Sequence, residues 1–385
     1  MLSTSPWQAL PWLYEIRTDR ASPLSALEGL RGFSVILVFC VHLFGWLLFV
    51  RSGISPDNAA LRDFTGANLL LAWLSFSHHG VHIFFVLSGF LIGRMLQRPG
   101  FELATFLRHR CIRIYPAFLL SLAIAVVFRV AVIGDMPLSA SLLIENVLLL
   151  NGIPALGTAA YNPVTWSLFN ELAFYALIGG AYQILGRQVI DHWWRLIALA
   201  LVAVFLPFVV GYVDARFLLF FVGVWIAGRD DAELRSIASS VPTSYVVAFY
   251  LFASNAWPLR IVEYGTSIFL FGLAAVLLVV KCCYDEGPLR SLATWAPLRW
   301  LGNISYSFYL LHAIVIGWFA HAWSPLPSDM RAGSIVMVAC AAFVVSWIAA
   351  TLSFVVAERR YFVRRRARLR SRPDFQIIGS SRRQW

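Results

Sequence analysis

Charged side chains are what this sequence has least of. Asp, Glu, Lys and Arg make up 13% of its 385 residues, against 59% hydrophobic ones, whereas an average soluble domain is about 25% charged. Such a deficit excludes an ordinary soluble globular fold, and the abundance of apolar residues excludes intrinsic disorder. Cysteine is sparse too: Cys40, Cys111, Cys282, Cys283 and Cys340 match neither a zinc site nor a disulfide framework, and read as packing residues. The chain shows no collagen period and no internal repeat, and it lacks the broken half-helices expected of many secondary transporters. Acidic residues number 20 against 31 basic ones, a formal net charge of +11, so the placement of the basic residues has to decide between a nucleic-acid partner and a membrane.

What the sequence does have is long apolar runs, and a helix needs about 20 such residues to cross the hydrocarbon core. Ten runs qualify as expected spans: Phe33–Val50, Asn68–Gly93, Ile112–Ile133, Trp166–Leu185, Leu196–Tyr212, Phe217–Ala227, Tyr245–Trp257, Thr266–Val280, Ile304–Ala322 and Ser334–Val356. The sixth and seventh are short, and Leu142–Leu150, which carries Glu145 and Asn146, reads as re-entrant or interfacial. With the N-terminus inside, most basic residues fall on the inner side, leaving Arg51, Arg62, Arg129, Arg216, Arg260 and Arg331 elsewhere. The expected fold class is therefore all-α: a polytopic membrane helix bundle of about ten transmembrane helices, N-in and C-in. Residues 1–32 read as a cytoplasmic N-terminal segment, with no cleavable signal peptide. Residues 33–356 form the transmembrane domain, and 357–385 a basic cytoplasmic tail set against anionic lipid. Directly following the last span, that tail reads as a topology determinant rather than a nucleic-acid surface.

Ionisable groups inside a bilayer are costly, so each is a candidate for function. His42 lies in the first span, eleven residues after Arg31. At about 100° per residue that interval returns to within roughly 20° of one helix face, about 16 Å along the axis. His78 and His82 stand four apart, but no carboxylate completes a metal site, so no metal is expected. Ser88-Gly89 suits the close approach of a neighbouring helix or ligand; nothing local supplies Ser88 with the base a nucleophile needs. Arg110 and Arg113 share a face, where paired guanidiniums can grip phosphates or snorkel to lipid headgroups. In the fourth span, Glu171 sits in an otherwise apolar helix with Tyr175 one turn on, and a carboxylate there needs a partner. Trp166 opens that span, and His312 brings a second intramembrane imidazole near the chain's end.

Six stretches, in order over residues 25–362, resemble the integral-membrane acyltransferase-3 family. They are Leu27-Glu28-Gly29-Leu30-Arg31-Gly32 with His42 following; Gly80 to Phe90; Arg110 and Arg113 before Ile114-Tyr115-Pro116; Trp166-Ser167-Leu168 with Glu171, Phe174 and Tyr175; Gly302 with Ile304-Ser305-Tyr306-Ser307, Tyr309-Leu310 and His312; and a closing Glu358. The resemblance implies a ten-helix bundle that takes an acyl group, usually acetyl, from cytoplasmic acyl-CoA and delivers it to a hydroxyl, commonly of an exported or cell-envelope carbohydrate. By matching positions it makes His42 the catalytic histidine, Arg31 its donor-side partner, Arg110 and Arg113 the pair that engages CoA phosphates, and Glu171 the intramembrane acid. Ser88, Trp166, Tyr175 and His312 are the expected substrate-cavity residues. The sequence departs from the family pattern at His82, at Leu172-Ala173 and at Arg360. The competing readings are a proton-coupled transporter or flippase relaying protons through His42 and Glu171, and a membrane scaffold without chemistry.

Overall fold

The computed structural model describes Tyr14 and residues 23–54, 60–76, 79–209, 214–323 and 332–359. His78 and the basic tail from residue 360 lie outside them. Among the described residues there is no strand, and fifteen α-helices of six residues or more define the architecture: α1 Pro23–Ser52, α2 Gly66–Ser75, α3 His79–Leu96, α4 Leu103–Val127, α5 Ala140–Val147, α6 Trp166–Leu185, α7 Trp193–Val209, α8 Leu218–Ala227, α9 Asp231–Ser240, α10 Thr243–Ala256, α11 Tyr264–Tyr284, α12 Pro288–Ala293, α13 Ala296–Asn303, α14 Ser305–Ala322 and α15 Ala332–Ser353. Helices α4 and α15 each run on into a π-helical turn, Phe128–Ile133 and Phe354–Glu358.

The protein is an all-α polytopic bundle. Among the described residues, five segments are long and apolar enough to cross a membrane: Ser25–Ser52, Gly66–Leu96, Leu103–Ile133, Tyr264–Tyr284 and Gly333–Glu358. Two bent pairs, α9 with α10 at 86° and α13 with α14 at 76°, raise the number to seven if each pair is one span. The ten apolar runs of the sequence fall on helices wherever they are described, but within the described residues three do not reach this length and apolarity. Trp193–Val202 and Ala215–Ala227 are short apolar helices. Helix α6 has the length, at 20 residues, but Asn170, Glu171 and Gln183 dilute it. The segment read as re-entrant or interfacial holds α5, whose eight residues rise only about 12 Å. Asn146 from this helix fixes the following loop, donating to the Ala159 carbonyl (2.9 Å) and accepting from the Tyr161 amide (3.1 Å).

With lipid outside, helices gain little from hiding apolar surface and associate through close packing at small residues. One tight crossing joins α3 to α8, where Gly89 and Gly93 face Gly223 and Ala227. A Cβ at Gly89 would lie 2.0 Å from the Phe220 carbonyl oxygen, and one at Gly223 would lie 2.2 Å from that of Val86. Backbone thus meets backbone, with no flexible side chain to yield. We expect Gly89→Val to abolish the folded state, read as loss of the monodisperse peak in detergent size-exclusion chromatography. Recovery of wild-type yield and melting temperature would contradict that.

Candidate active site

Helices α1, α3, α4, α6 and α14 enclose a cavity of about 820 Å³ including its open mouth, within the size range of small-molecule sites. Its polar wall is Arg31, Ser88, Arg110, Arg113, Glu171 and Tyr175, and its apolar wall includes Phe84, Phe85, Leu91 and Tyr306.

Each polar group reaches the cavity for a local reason. Arg31 is in the third turn of α1 and donates from Nε to Ser305 Oγ (3.3 Å), where the chain turns from α13 into α14. On α4, Arg110 is buried, with Nη2 3.1 Å from Met95 Sδ and its guanidinium 5.5 Å from the centre of the Tyr175 ring. Arg113 lies one turn on. Tyr306 ties α14 to α4 by donating to the Ile114 carbonyl (2.9 Å). Helix α6 is anchored by Asn162, whose Nδ2 donates to the Leu310 carbonyl (2.8 Å) and whose Oδ1 accepts from the Val164 amide. One turn of α6 separates Glu171 from Tyr175, so the Tyr175 hydroxyl donates to Glu171 Oε1. Ser88 Oγ from α3 donates to the same oxygen (3.2 Å) and lies 3.3 Å from the Tyr175 hydroxyl.

Glu171 is thus partnered, as a carboxylate in an apolar helix must be, and its partners are hydroxyls lining the cavity. Among the lining residues it is the one carboxylate set against three guanidiniums. Glu358, buried on the π-helical turn and accepting from Ser307, is near enough to Arg31 and Arg113 to interact electrostatically. The pocket remains net positive and suits a polyanion.

Two of the expected cavity residues, Ser88 and Tyr175, line this space. His42, Trp166 and His312 are not among its lining residues. Trp166 opens α6 with the Arg216 guanidinium 4.1 Å above its ring, and Arg216 is held by Asp214 at 2.7 Å. His42 lies farther along α1 from Arg31, deep in the bundle yet with open surface on its ring. Its Nδ1 is 2.8 Å from the Val38 carbonyl oxygen and 3.1 Å from Nε2 of the fully buried His312. Tyr309, which lines the cavity, packs against His312 with ring centres 5.8 Å apart.

The sequence reading gave Ser305, Tyr306, Tyr309 and Glu358 no role, although the first three bound the cavity. Their signal is periodicity: Ser305, Tyr309 and His312 recur on one helix face. His79 and His82 are buried; His79 stacks 4.1 Å from Phe271, and its Nε2 lies 3.0 Å from the Ser254 carbonyl oxygen. Among the described residues, no group of three or more His, Cys, Asp or Glu side chains could hold a metal ion.

A multi-helix membrane bundle around a cationic cavity, with a histidine on the same helix as one of its arginines, defines a class that the sequence comparison makes definite. The chain belongs to the acyltransferase-3 family, whose acyltransferase domain matches residues 24–351, and the protein is a multi-pass cell-membrane acyltransferase. It is similar to acyltransferase MdmB of Streptomyces mycarofaciens, at 24% identity over 370 residues, 84% of this chain and 89% of that protein. It is also similar to the putative peptidoglycan O-acetyltransferase YrhL of Bacillus subtilis (25% over 344 residues, 78% of this chain) and to the peptidoglycan O-acetyltransferase OatA of Listeria monocytogenes (22% over 355 residues, 78% of this chain). The chain spans about half the length of these last two, 50% and 51%. No solved structure matches it.

Proposed function

We propose that this acyltransferase moves an acyl group, acetyl first among them, from cytoplasmic acyl-CoA to a hydroxyl of an exported or cell-envelope carbohydrate. The observation that carries the reading is the convergence of Arg31, Arg110 and Arg113 on one cavity, with His42 on the helix that supplies Arg31. Guanidiniums grip phosphates with paired, charge-assisted hydrogen bonds, and CoA is a phosphate-rich donor. His42 stands eleven residues beyond Arg31, about 16 Å along the axis, an interval the flexible pantetheine arm crosses to bring its thioester to the imidazole. The basic-rich helix ends support an N-in, C-in orientation with the donor side in the cytoplasm. The transmembrane domain is 33–356, flanked by cytoplasmic 1–32 and 357–385. The carbohydrate acceptor rests on the names of the two peptidoglycan O-acetyltransferase relatives.

A sugar hydroxyl is too weakly acidic to attack a thioester unaided. In the proposed step, His42 Nε2 takes the hydroxyl proton as the oxygen bonds to the acyl carbon; the carbon–sulfur bond breaks, and CoA leaves with that proton. Glu171, holding Ser88 and Tyr175, balances the guanidiniums and offsets their mutual repulsion.

The test uses the purified full chain in lipid nanodiscs with labelled acetyl-CoA. Free CoA should appear only when a hydroxylated acceptor is present, and cell-envelope glycans of a deletion strain should lose an acetyl increment. Arg110→Gln and Arg113→Gln should each raise KM for acetyl-CoA roughly ten- to a hundredfold, the worth of one hydrogen bond to a charged group, with kcat little changed. Proton-coupled uptake into proteoliposomes without CoA release would overturn the proposal in favour of transport, and unaltered KM in both variants would remove the arginines from the donor site.

A further inference from the structure

We infer that His312 is a positioning residue for His42, accepting the Nδ1–H of His42 and so holding its Nε2 free as the basic nitrogen; this rests on the reading of His42 as the base. The argument is a hydrogen-bond account. His42 Nδ1 is 2.8 Å from the Val38 carbonyl oxygen, and His312 Nδ1 is 3.2 Å from that of Phe308, each one turn back on its own helix. A carbonyl oxygen only accepts, so each Nδ1 carries the hydrogen and, in the neutral rings, each Nε2 carries a lone pair. His312 Nε2 meets His42 Nδ1 at 3.1 Å, so the Nδ1–H of His42 is shared between the Val38 carbonyl and His312. Reversing either tautomer sets a lone pair against a carbonyl oxygen at these distances, and reversing that of His42 sets a second one against His312 Nε2.

The arrangement has the logic of a base held by a third group, with an imidazole where a carboxylate often stands. His312 is fully buried, its ring stacked 6.2 Å from Phe308 and packed at a tilt 5.8 Å from Tyr309, so the packing holds its lone pair in place. The ring of His42 is tilted 64° to it with centres 4.9 Å apart, and His42 itself is exposed. When His42 takes the acceptor's proton, the Nδ1–H bond becomes charge-assisted and strengthens as the transition state forms. A positioning contact of this kind should act on kcat and leave donor binding alone.

The experiment compares His312→Gln with His312→Leu in the purified full chain. Gln keeps an accepting oxygen at similar reach; Leu fills the space without one. Leu should lower kcat for acetyl transfer about 10- to 100-fold with KM for acetyl-CoA unchanged, and Gln should restore it to within a few fold of wild type. A second readout separates positioning from packing: carbethoxylation of His42 by diethyl pyrocarbonate, followed by mass spectrometry. Without the acceptor at 312, Nε2 is less nucleophilic and His42 should react more slowly in the Leu variant, whereas loosened packing would expose it and speed the reaction. Wild-type kcat in the Leu variant, or faster modification with Gln no better than Leu, would overturn the inference. A His42→Ala protein that still transferred acetyl at the wild-type rate would instead overturn the reading of His42 as the base.

Discussion

Replacing His42 by Ala should lower kcat for acetyl transfer roughly 10²- to 10⁴-fold, the usual worth of a general base, while CoA still binds. The geometry separates the two effects. The cationic wall proposed to draw the donor is built on α1, α4 and the start of α14, and its polar contacts reach Ser305, Met95 and Tyr175, none of which touches the imidazole. The truncation would, however, strip the buried His312 Nε2 of its partner, at a stability cost of about 1–3 kcal/mol. His42→Gln is therefore the informative companion: its side-chain amide can still donate toward His312, yet it holds no base. Both variants should lose transfer, and the Gln variant should keep more of the wild-type melting temperature. Either one transferring acetyl to acceptor at the wild-type rate would remove His42 from the chemistry.

The parts of this site that lie within one helix were legible in the sequence. The four-residue step from Glu171 to Tyr175 is a hydrogen bond in the structure. The three-residue step from Arg110 to Arg113 puts both side chains on the cavity, as the 3.6-residue period requires. Arg31 and His42 share α1, but only Arg31 lines the cavity, because what a side chain meets depends on the neighbouring helix as well as on its own direction. The pairings between helices were not legible. Ser88 meets Glu171 across 83 residues, and His42 meets His312 across 270. Periodicity says which way a side chain points along its own helix; it does not say which helix lies opposite. One long-range contact had left a trace, since Gly89-x-x-x-Gly93 and Gly223-x-x-x-Ala227 are the small-residue spacings that let membrane helices touch. The number of spans was harder, because hydropathy treats a bent pair such as α13–α14 and a polar helix such as α6 as if they were straight apolar rods.

The motif that carries Arg31 also contains Glu28, and the structure gives that carboxylate a mechanical task. Glu28 Oε2 accepts from Nε and Nη2 of Arg299 on α13, at 3.1 and 2.9 Å, with both side chains buried. The contact around the pair is as close as backbones allow: a Cβ at Gly29 would lie 1.8 Å from the Ala293 carbonyl oxygen, one at Gly32 2.1 Å from that of Leu298, and one at Gly302 1.7 Å from that of Glu28. Helices α12 and α13 thus brace the start of α1, and the turn out of α13 delivers Ser305 to Arg31. Glu28→Ala would leave the guanidinium of Arg299, 1% exposed, without its carboxylate, and breaking a buried pair in this way costs about 3–5 kcal/mol. We expect the variant to lose most of its folded yield in detergent and to melt well below wild type. Because the cost lies in the stranded charge, Glu28→Leu combined with Arg299→Leu should recover stability over Glu28→Ala, and whatever protein folds should retain the wild-type KM for acetyl-CoA. A Glu28→Ala protein that melts with wild type, or a double variant no better than the single one, would show that the glycine-lined backbone contact holds this corner without the ion pair.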